Sequence, residues 1–218
     1  EGATWLPNGN PFDELLVSAE SVARSPSLVV VAFGTNEAYG RQFRVDVDPR
    51  GGPDAVDAAV ARVQTLAHSY SRVVARLIES LQVDPERASC LVVLPPDFEE
   101  EDAPCVEMEY ALLPGAVETA CVTMPPRSLT PVRNGLETAA ELVGCAVWDT
   151  QRAMGGEGWH GVWQRLTPPL AARDGVHLTA RGYDAMGAAL FADLMRAYDR
   201  WRAGGSGDLE TNPFVLAR

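Results

Sequence analysis

The stretch LVVVAFGTNEAYG, Leu28 to Gly40, decides the fold. Six consecutive apolar residues, Leu28 to Phe33, stop abruptly at Gly34-Thr35-Asn36-Glu37. A run of that length, rich in valine, predicts a parallel strand buried on both faces that empties into a polar loop. Open α/β sheets place their chemistry at that end of their strands.

Outward from this stretch, helices and strands alternate. Upstream, Asn10-Pro11 predicts a helix start, with Asn as N-cap, Pro at the first helical position and Asp13 and Glu14 in the first turn. Leu15, Ala19 and Val22 form its apolar stripe. Downstream, Arg41 to Pro53 alternates Phe43, Val45 and Val47 with Arg44, Asp46 and Asp48, which reads either as a hairpin arm or as a lid. From Asp54, the spacing of Val56, Val60, Val63, Ala67, Tyr70, Val74, Leu77 and Leu81 predicts a long helix, with His68 off the stripe as a surface residue. Ser89 to Leu94 predicts a second buried strand, stopped by Pro95-Pro96-Asp97 and followed by a solvated acidic run, Glu99 to Asp102.

Residues 103–127 have poor periodicity and read as an insertion, within which Val117 to Met124 is expected as an added edge strand. Leu129 to Leu142 predicts a helix with Leu136, Ala139 and Ala140 facing inward and Gly144 as its stop. Cys145 to Trp148 predicts a third strand. The stretch Thr150 to Arg173 reads as a long loop carrying Gly155, Gly156, Gly158, Trp159, His160 and Trp163. Its aromatic residues form either a binding wall or a cap over the core. Thr179 then caps a helix whose Tyr183, Met186, Leu190, Leu194, Tyr198 and Trp201 are expected to bury one stripe. Residues 204–218 read as a tail.

Strands separated by helices predict an α/β domain over residues 1–203, its parallel sheet covered by helices on both faces. Three core strands are fewer than a free-standing doubly wound domain usually carries, and the deficit lies on the N-terminal side. The 218 residues suit one well-buried domain. With 46% hydrophobic and 22% charged residues and no apolar run of membrane-spanning length, a soluble globular protein is expected. A net charge of -12 argues against nucleic acid as partner, because phosphate backbones are bound by cationic surfaces.

No secretory segment opens the chain, and Glu1-Gly2-Ala3-Thr4-Trp5 reads as the middle of a fold. Cys90 and Cys145, in apolar strand-like runs, read as small buried hydrophobes. Cys105 and Cys121 flank a polar segment and leave two alternatives open, a disulfide or two thiols. No cysteine or histidine spacing suggests a metal site.

The second informative stretch is Asp174-Gly175-Val176-His177-Leu178-Thr179, where an acid and an imidazole sit three residues apart before a helix. Together with Gly34-Thr35-Asn36-Glu37 it resembles the SGNH (GDSL-like) hydrolases. The first stretch is similar to the family's Gly-x-Asn-Asp block, with Glu37 one methylene longer than the usual Asp. Asp174-x-x-His177, followed by Leu178-Thr179 and Gly182-Tyr183, is similar to its final block. The resemblance implies that His177 is a general base, that Asp174 holds its Nδ1, and that Asn36 points its amide into the oxyanion hole. Gly34 would allow the turn that exposes Asn36. Gly2-Ala3-Thr4 looks like the tail of the block supplying an oxyanion-hole glycine, so Gly2 is expected as a backbone donor.

The family's Gly-Asp-Ser block is then expected upstream of Glu1. Ser206 and Ser128 lack the strand-to-turn setting of a nucleophile, so the serine is expected from a missing or separate segment or chain. GATW, FGTNEAYG, PPDF and WDTQRAMGG resemble the bacterial carbohydrate O-acetylesterases, including peptidoglycan O-acetylesterases. That resemblance implies a three-layer α/β/α sandwich with a flavodoxin-like sheet lacking its N-terminal strand or strands. It also implies a small ester or acetylated glycan as substrate, no metal or organic cofactor, and a periplasmic or extracellular setting. Two other readings stay open: a non-catalytic glycan- or partner-binding relic, and an O-acyltransferase using the same residues.

Overall fold

Leu28 to Ala32 does form a parallel strand. A computed structural model describes residues 27–39, 43, 52–81, 89–100, 104–113 and 116–203. Gly2, the helix expected from Asn10, most of the Arg41 to Pro53 arm, and the tail from 204 with its Ser206 lie outside the described residues. In chain order the elements are β1 (Leu28–Ala32), α1 (Thr35–Tyr39), α2 (Gly52–Leu81), β2 (Ser89–Val93), β3 (Cys105–Leu113), β4 (Ala116–Thr123), α3 (Leu129–Val143), β5 (Ala146–Trp148), α4 (Thr150–Met154), α5 (Trp159–Arg165) and α6 (Ala180–Arg202). They fall into two compact units, residues 1–95 with 127–148, and residues 96–126 with 149–218.

In the first unit β2 lies between β1 and β5 and runs parallel to both. Leu28 to Ala32 pair with Ser89 to Val93, and Leu91 to Val93 pair with Ala146 to Trp148. The expected α/β class with a parallel sheet is what the chain adopts. β2 buries Cys90, Leu91 and Val92 in succession, as a central strand should. β1 departs from expectation: Val29 and Val31 are buried while Leu28 and Val30 are more than half exposed. A run of apolar residues tells that both faces of a strand are apolar, and among the described residues only one of them is covered.

α2 begins close to where its pattern predicts. Val63, Tyr70, Val74 and Ile78 are buried along it, whereas Val56 and Val60 in its first turns are exposed. It packs along α3 where Gly135 faces Tyr70, and a Cβ at 135 would stand 3.0 Å from the Tyr70 ring. Fully burying each of Val74, Ile78, Val132 and Leu136 contributes about 1.5–3 kcal/mol. Gly144 ends α3 in the left-handed region at φ 71°, its N–H donating to the Ala140 and Glu141 carbonyls.

Cys90 and Cys145 are buried as expected but are not free: they form a disulfide with their Cα atoms 4.9 Å apart. Neighbouring parallel strands bring the two positions into bridging range, a pairing that spacing along the chain does not reveal.

In the second unit, residues 105–123 make an antiparallel hairpin, β3 paired with β4 from Cys105 opposite Thr123 to Leu113 opposite Ala116. The strand expected as an added edge is therefore half of a separate two-stranded sheet. A disulfide between Cys105 and Cys121 closes the hairpin's open end, with Cα atoms 5.3 Å apart. Ala120 and Val122 of β4 pack on Val162 of α5, flanked by Met108, Tyr110, Met124 and Trp159.

The expected loop from Thr150 is instead two short helices. Asp149 caps α4 by accepting from the Arg152 N–H at 2.9 Å. Gly155, at φ 127°, lies so close to the Trp159 ring that no side chain fits there. Trp163 is buried and Trp159 half-buried, so these aromatic residues cap the core. α6 starts at its Thr179 cap, yet of the expected stripe only Met186 is buried, and Trp201 is 70% exposed. The period of a helix shows which residues share a face, not what covers it.

Candidate functional site

The turn from Asp174 to His177 is fixed by its own carboxylate. Asp174 Oδ1 accepts from the backbone N–H groups of Val176 at 3.0 Å and His177 at 2.9 Å. Its other oxygen, Oδ2, lies 2.8 Å from His177 Nδ1. Because a carboxylate only accepts, Nδ1 carries the proton in the neutral ring and Nε2 keeps a lone pair. The two backbone N–H groups and the ring together hold the Asp174 carboxyl at about 2, below the usual carboxylate range. Gly175 takes the left-handed conformation at φ 78° that lets the turn close.

Both flanks of the turn are tied down. The Ala172 N–H donates to the His177 carbonyl at 2.8 Å, and the Thr179 N–H to the Leu170 carbonyl at 2.8 Å. The Thr179 hydroxyl donates to the Pro169 carbonyl at 2.9 Å while its oxygen accepts from the Gly182 N–H at 3.2 Å, capping α6. Gly182 presses against the Leu170 carbonyl so closely that a Cβ there has no room. A short ladder and a helix start thus present an imidazole that is 70% exposed. An imidazole held this way by a carboxylate can accept a proton at Nε2.

Beside this turn lies a polar group that the sequence did not point to. Asp97, 1% exposed, accepts from the Gln151 side-chain amide at 3.0 Å and from the His160 backbone N–H at 3.2 Å. Burial pushes its carboxyl up to about 6, against the opposing pull of those hydrogen bonds. Gln164 Nε2 donates to Glu99 Oε2 at 3.1 Å and stands 3.5 Å from His160 Nδ1. The Glu99 N–H in turn donates to the Gly175 carbonyl at 2.8 Å. His160 is fully buried, and burial, first among the causes, lowers the pKa of its ring. In the sequence Asp97 stood only as part of a strand stop and His160 as part of a loop. The signal available was a lone acid directly after an apolar strand and two prolines.

Gly34 and Asn36 belong to the first unit. Gly34 is buried at φ 115°, and a Cβ would stand 2.9 Å from Pro95 Cγ and 3.0 Å from the side chains of Val132 and Leu136. Only glycine turns the chain there. Its carbonyl accepts from the Ala38 N–H at 2.9 Å, opening α1 and setting Asn36 in the exposed first turn. Glu37 is almost fully buried, and its charge adds to burial in raising the Tyr70 hydroxyl's pKa. Ser128 is buried with its hydroxyl donating to the Ala38 carbonyl. Asp174 and His177 are brought together within the second unit, and Gly2 lies outside the described residues. Among the described residues no set of His, Cys, Asp and Glu side chains gathers as a metal site.

No protein family profile and no curated protein matches the chain. Among solved structures it is similar to a peptidoglycan O-acetylesterase in action, at TM-score 0.55 and 21% identity over 83% of this chain. The chain spans 40% of that protein's length. Likeness at this identity shows a shared α/β fold.

Proposed function

We propose that this chain is the acid–base half of a serine esterase of the SGNH type, cleaving O-acyl and specifically O-acetyl esters on a carbohydrate. The observation that carries the reading is the 2.8 Å contact between Asp174 Oδ2 and His177 Nδ1, which leaves the lone pair on Nε2 of a ring that is largely exposed. The likeness in fold to a peptidoglycan O-acetylesterase supports the substrate class. Two disulfides joining all four cysteines support an oxidising setting, periplasmic or extracellular.

In this reading the nucleophile is a serine on a segment outside the 218 residues. His177 Nε2 takes the hydroxyl proton as the serine Oγ bonds to the ester carbonyl carbon. The carbonyl oxygen becomes an oxyanion, toward which the Asn36 amide and the Gly2 N–H donate, with Gly34 holding the turn that presents Asn36. Collapse breaks the bond to the sugar oxygen, which leaves with the proton from His177. Water then attacks the acyl carbon as His177 accepts its proton, and collapse breaks the acyl–Oγ bond while His177 returns that proton to Oγ, releasing acetate and restoring the serine hydroxyl. Asp174 keeps the ring in one tautomer and stabilises the imidazolium formed in each half.

The test is hydrolysis of an aryl acetate by a polypeptide carrying both this chain and the serine block. Replacing His177 with Ala is expected to lower kcat/KM by about 10²–10⁴-fold. Undiminished turnover in the His177→Ala variant sinks the proposal. No turnover in the unmodified polypeptide, with acetylated glycan still bound in calorimetry, points instead to a binding domain.

A further inference from the structure

A continuous set of polar contacts links the most buried carboxylate of the second unit to the turn that carries His177. Asp97 holds the backbone N–H of His160, the His160 ring faces Gln164, Gln164 donates to Glu99, and Glu99 holds Gly175. Gly175 stands between Asp174 and His177, and a Cβ placed on it would touch the Glu99 side chain at 3.4 Å.

We propose that Glu99, Gln164 and His160 are positioning residues for His177, a part-buried chain of polar contacts that fixes the Asp174 to His177 turn and with it the tautomer of the ring. The inference rests on the reading of His177 as a base and adds the residues that hold it.

Two observations carry it. The Gln164 amide nitrogen has two protons and two facing acceptors, Glu99 Oε2 and His160 Nδ1, so His160 carries its own proton on Nε2. Nε2 is buried, and the His177 backbone lies close enough to the His160 ring to oppose, by hydrogen bonding, the lowering of its pKa by burial. A polar network beside an exposed imidazole acts as an outer layer of support, as it does around metal-bound and catalytic histidines. The charged and titratable groups facing His160 and Asp97 are Asp174, His177, Glu99 and Glu157.

The experiment uses the full 218-residue chain and reads ring ¹⁵N shifts of His177 and amide exchange at Val176 and His177. In the unmodified chain a single tautomer, protonated at Nδ1, is expected. Gln164→Glu keeps the shape of the side chain but turns its donor into an acceptor facing Glu99, and Gln164→Met removes the donor. Both are expected to mix the His177 tautomers and to speed exchange of the two amides by about tenfold, the loss of one hydrogen bond to a charged acceptor. The double variant Glu99→Gln with Gln164→Glu exchanges donor and acceptor between 99 and 164, lets the His160 ring meet the new carboxylate by carrying its proton on Nδ1, and is expected to restore the single His177 tautomer.

Folded single variants with an unchanged tautomer and unchanged exchange overturn the proposal, as does a double variant that restores stability but not the tautomer. If the single variants fail to fold, the unmodified chain decides. Protection of the Glu99, Val176 and His177 amides is then expected to be lost together across a denaturant series, and separate loss overturns the inference. None of these readouts needs ester turnover, so the esterase reading and this one can fail independently.

Discussion

Asp174 grips His177 twice, through the ring nitrogen at 2.8 Å with one carboxylate oxygen and through the backbone N–H at 2.9 Å with the other. The carboxylate therefore sets both where the imidazole sits and which nitrogen carries its proton. In Asp174→Asn the amide oxygen still accepts from the backbone, but the NH₂ faces Nδ1 and favours the tautomer with Nε2 protonated. We expect kcat of the serine-containing polypeptide to fall by about 10³–10⁴-fold while the turn itself persists by amide exchange.

The same carboxylate predicts a small acid-side loss of stability. Its pKa is about 2 in the folded chain and near 4 when unfolded, so the unfolded chain binds more protons between those values. Stability is present in full above pH 4 and is lost as pH falls toward 2. Because both partners are exposed and screened, the loss is expected to be under about 1 kcal/mol, and Asp174→Asn should remove it from a series of urea midpoints.

Asp97 predicts the opposite slope. Its carboxyl is raised to about 6, so between pH 4 and 6 the folded chain holds the extra proton and stability falls as pH rises. The drop by neutral pH is expected to be roughly 3 kcal/mol. Urea midpoints from pH 4 to 8 should show this decline in the unmodified chain and lose it in Asp97→Asn.

Two glycines should resist replacement. Gly34→Ala meets Pro95, Val132 and Leu136 at a backbone angle of φ 115°, and Gly182→Ala meets the Leu170 carbonyl. Each is expected to destabilise by about 2–4 kcal/mol, read as a lowered Tm, whereas Gly187→Ala, which has open space, should be close to neutral or stabilising.

How much of this was legible depended on whether the physics was local. The first strand, the long helix from Gly52, the helix ending at Gly144 and the Thr179 cap followed from periodicity and from end signals that act within one turn. The Asp174 and His177 contact was also legible, because three residues separate its partners. The Cys90 to Cys145 bond, the burial of Asp97 and the support of Gly175 by Glu99 were not. Each joins residues more than 50 positions apart and depends on which segments the fold makes neighbours. The α6 stripe was misread for a related reason, since its apolar face exists but is left largely exposed among the described residues.

Reducing the disulfides is expected to lower Tm with two separable steps. By loop-closure entropy the bridge spanning 55 residues is worth about 4 kcal/mol and the one spanning 16 about 3. Paired alanine variants followed by calorimetry measure each share.

Cys90 and Cys145 sit where β2 and β5 begin, while the Gly34 turn and the Pro95 to Asp97 segment follow the far ends of their strands. The covalent tie therefore lies at the end of the sheet away from Gly34 and Pro95. Replacing the pair with two valines would therefore remove the tie while leaving the residues at the opposite ends of the strands unchanged.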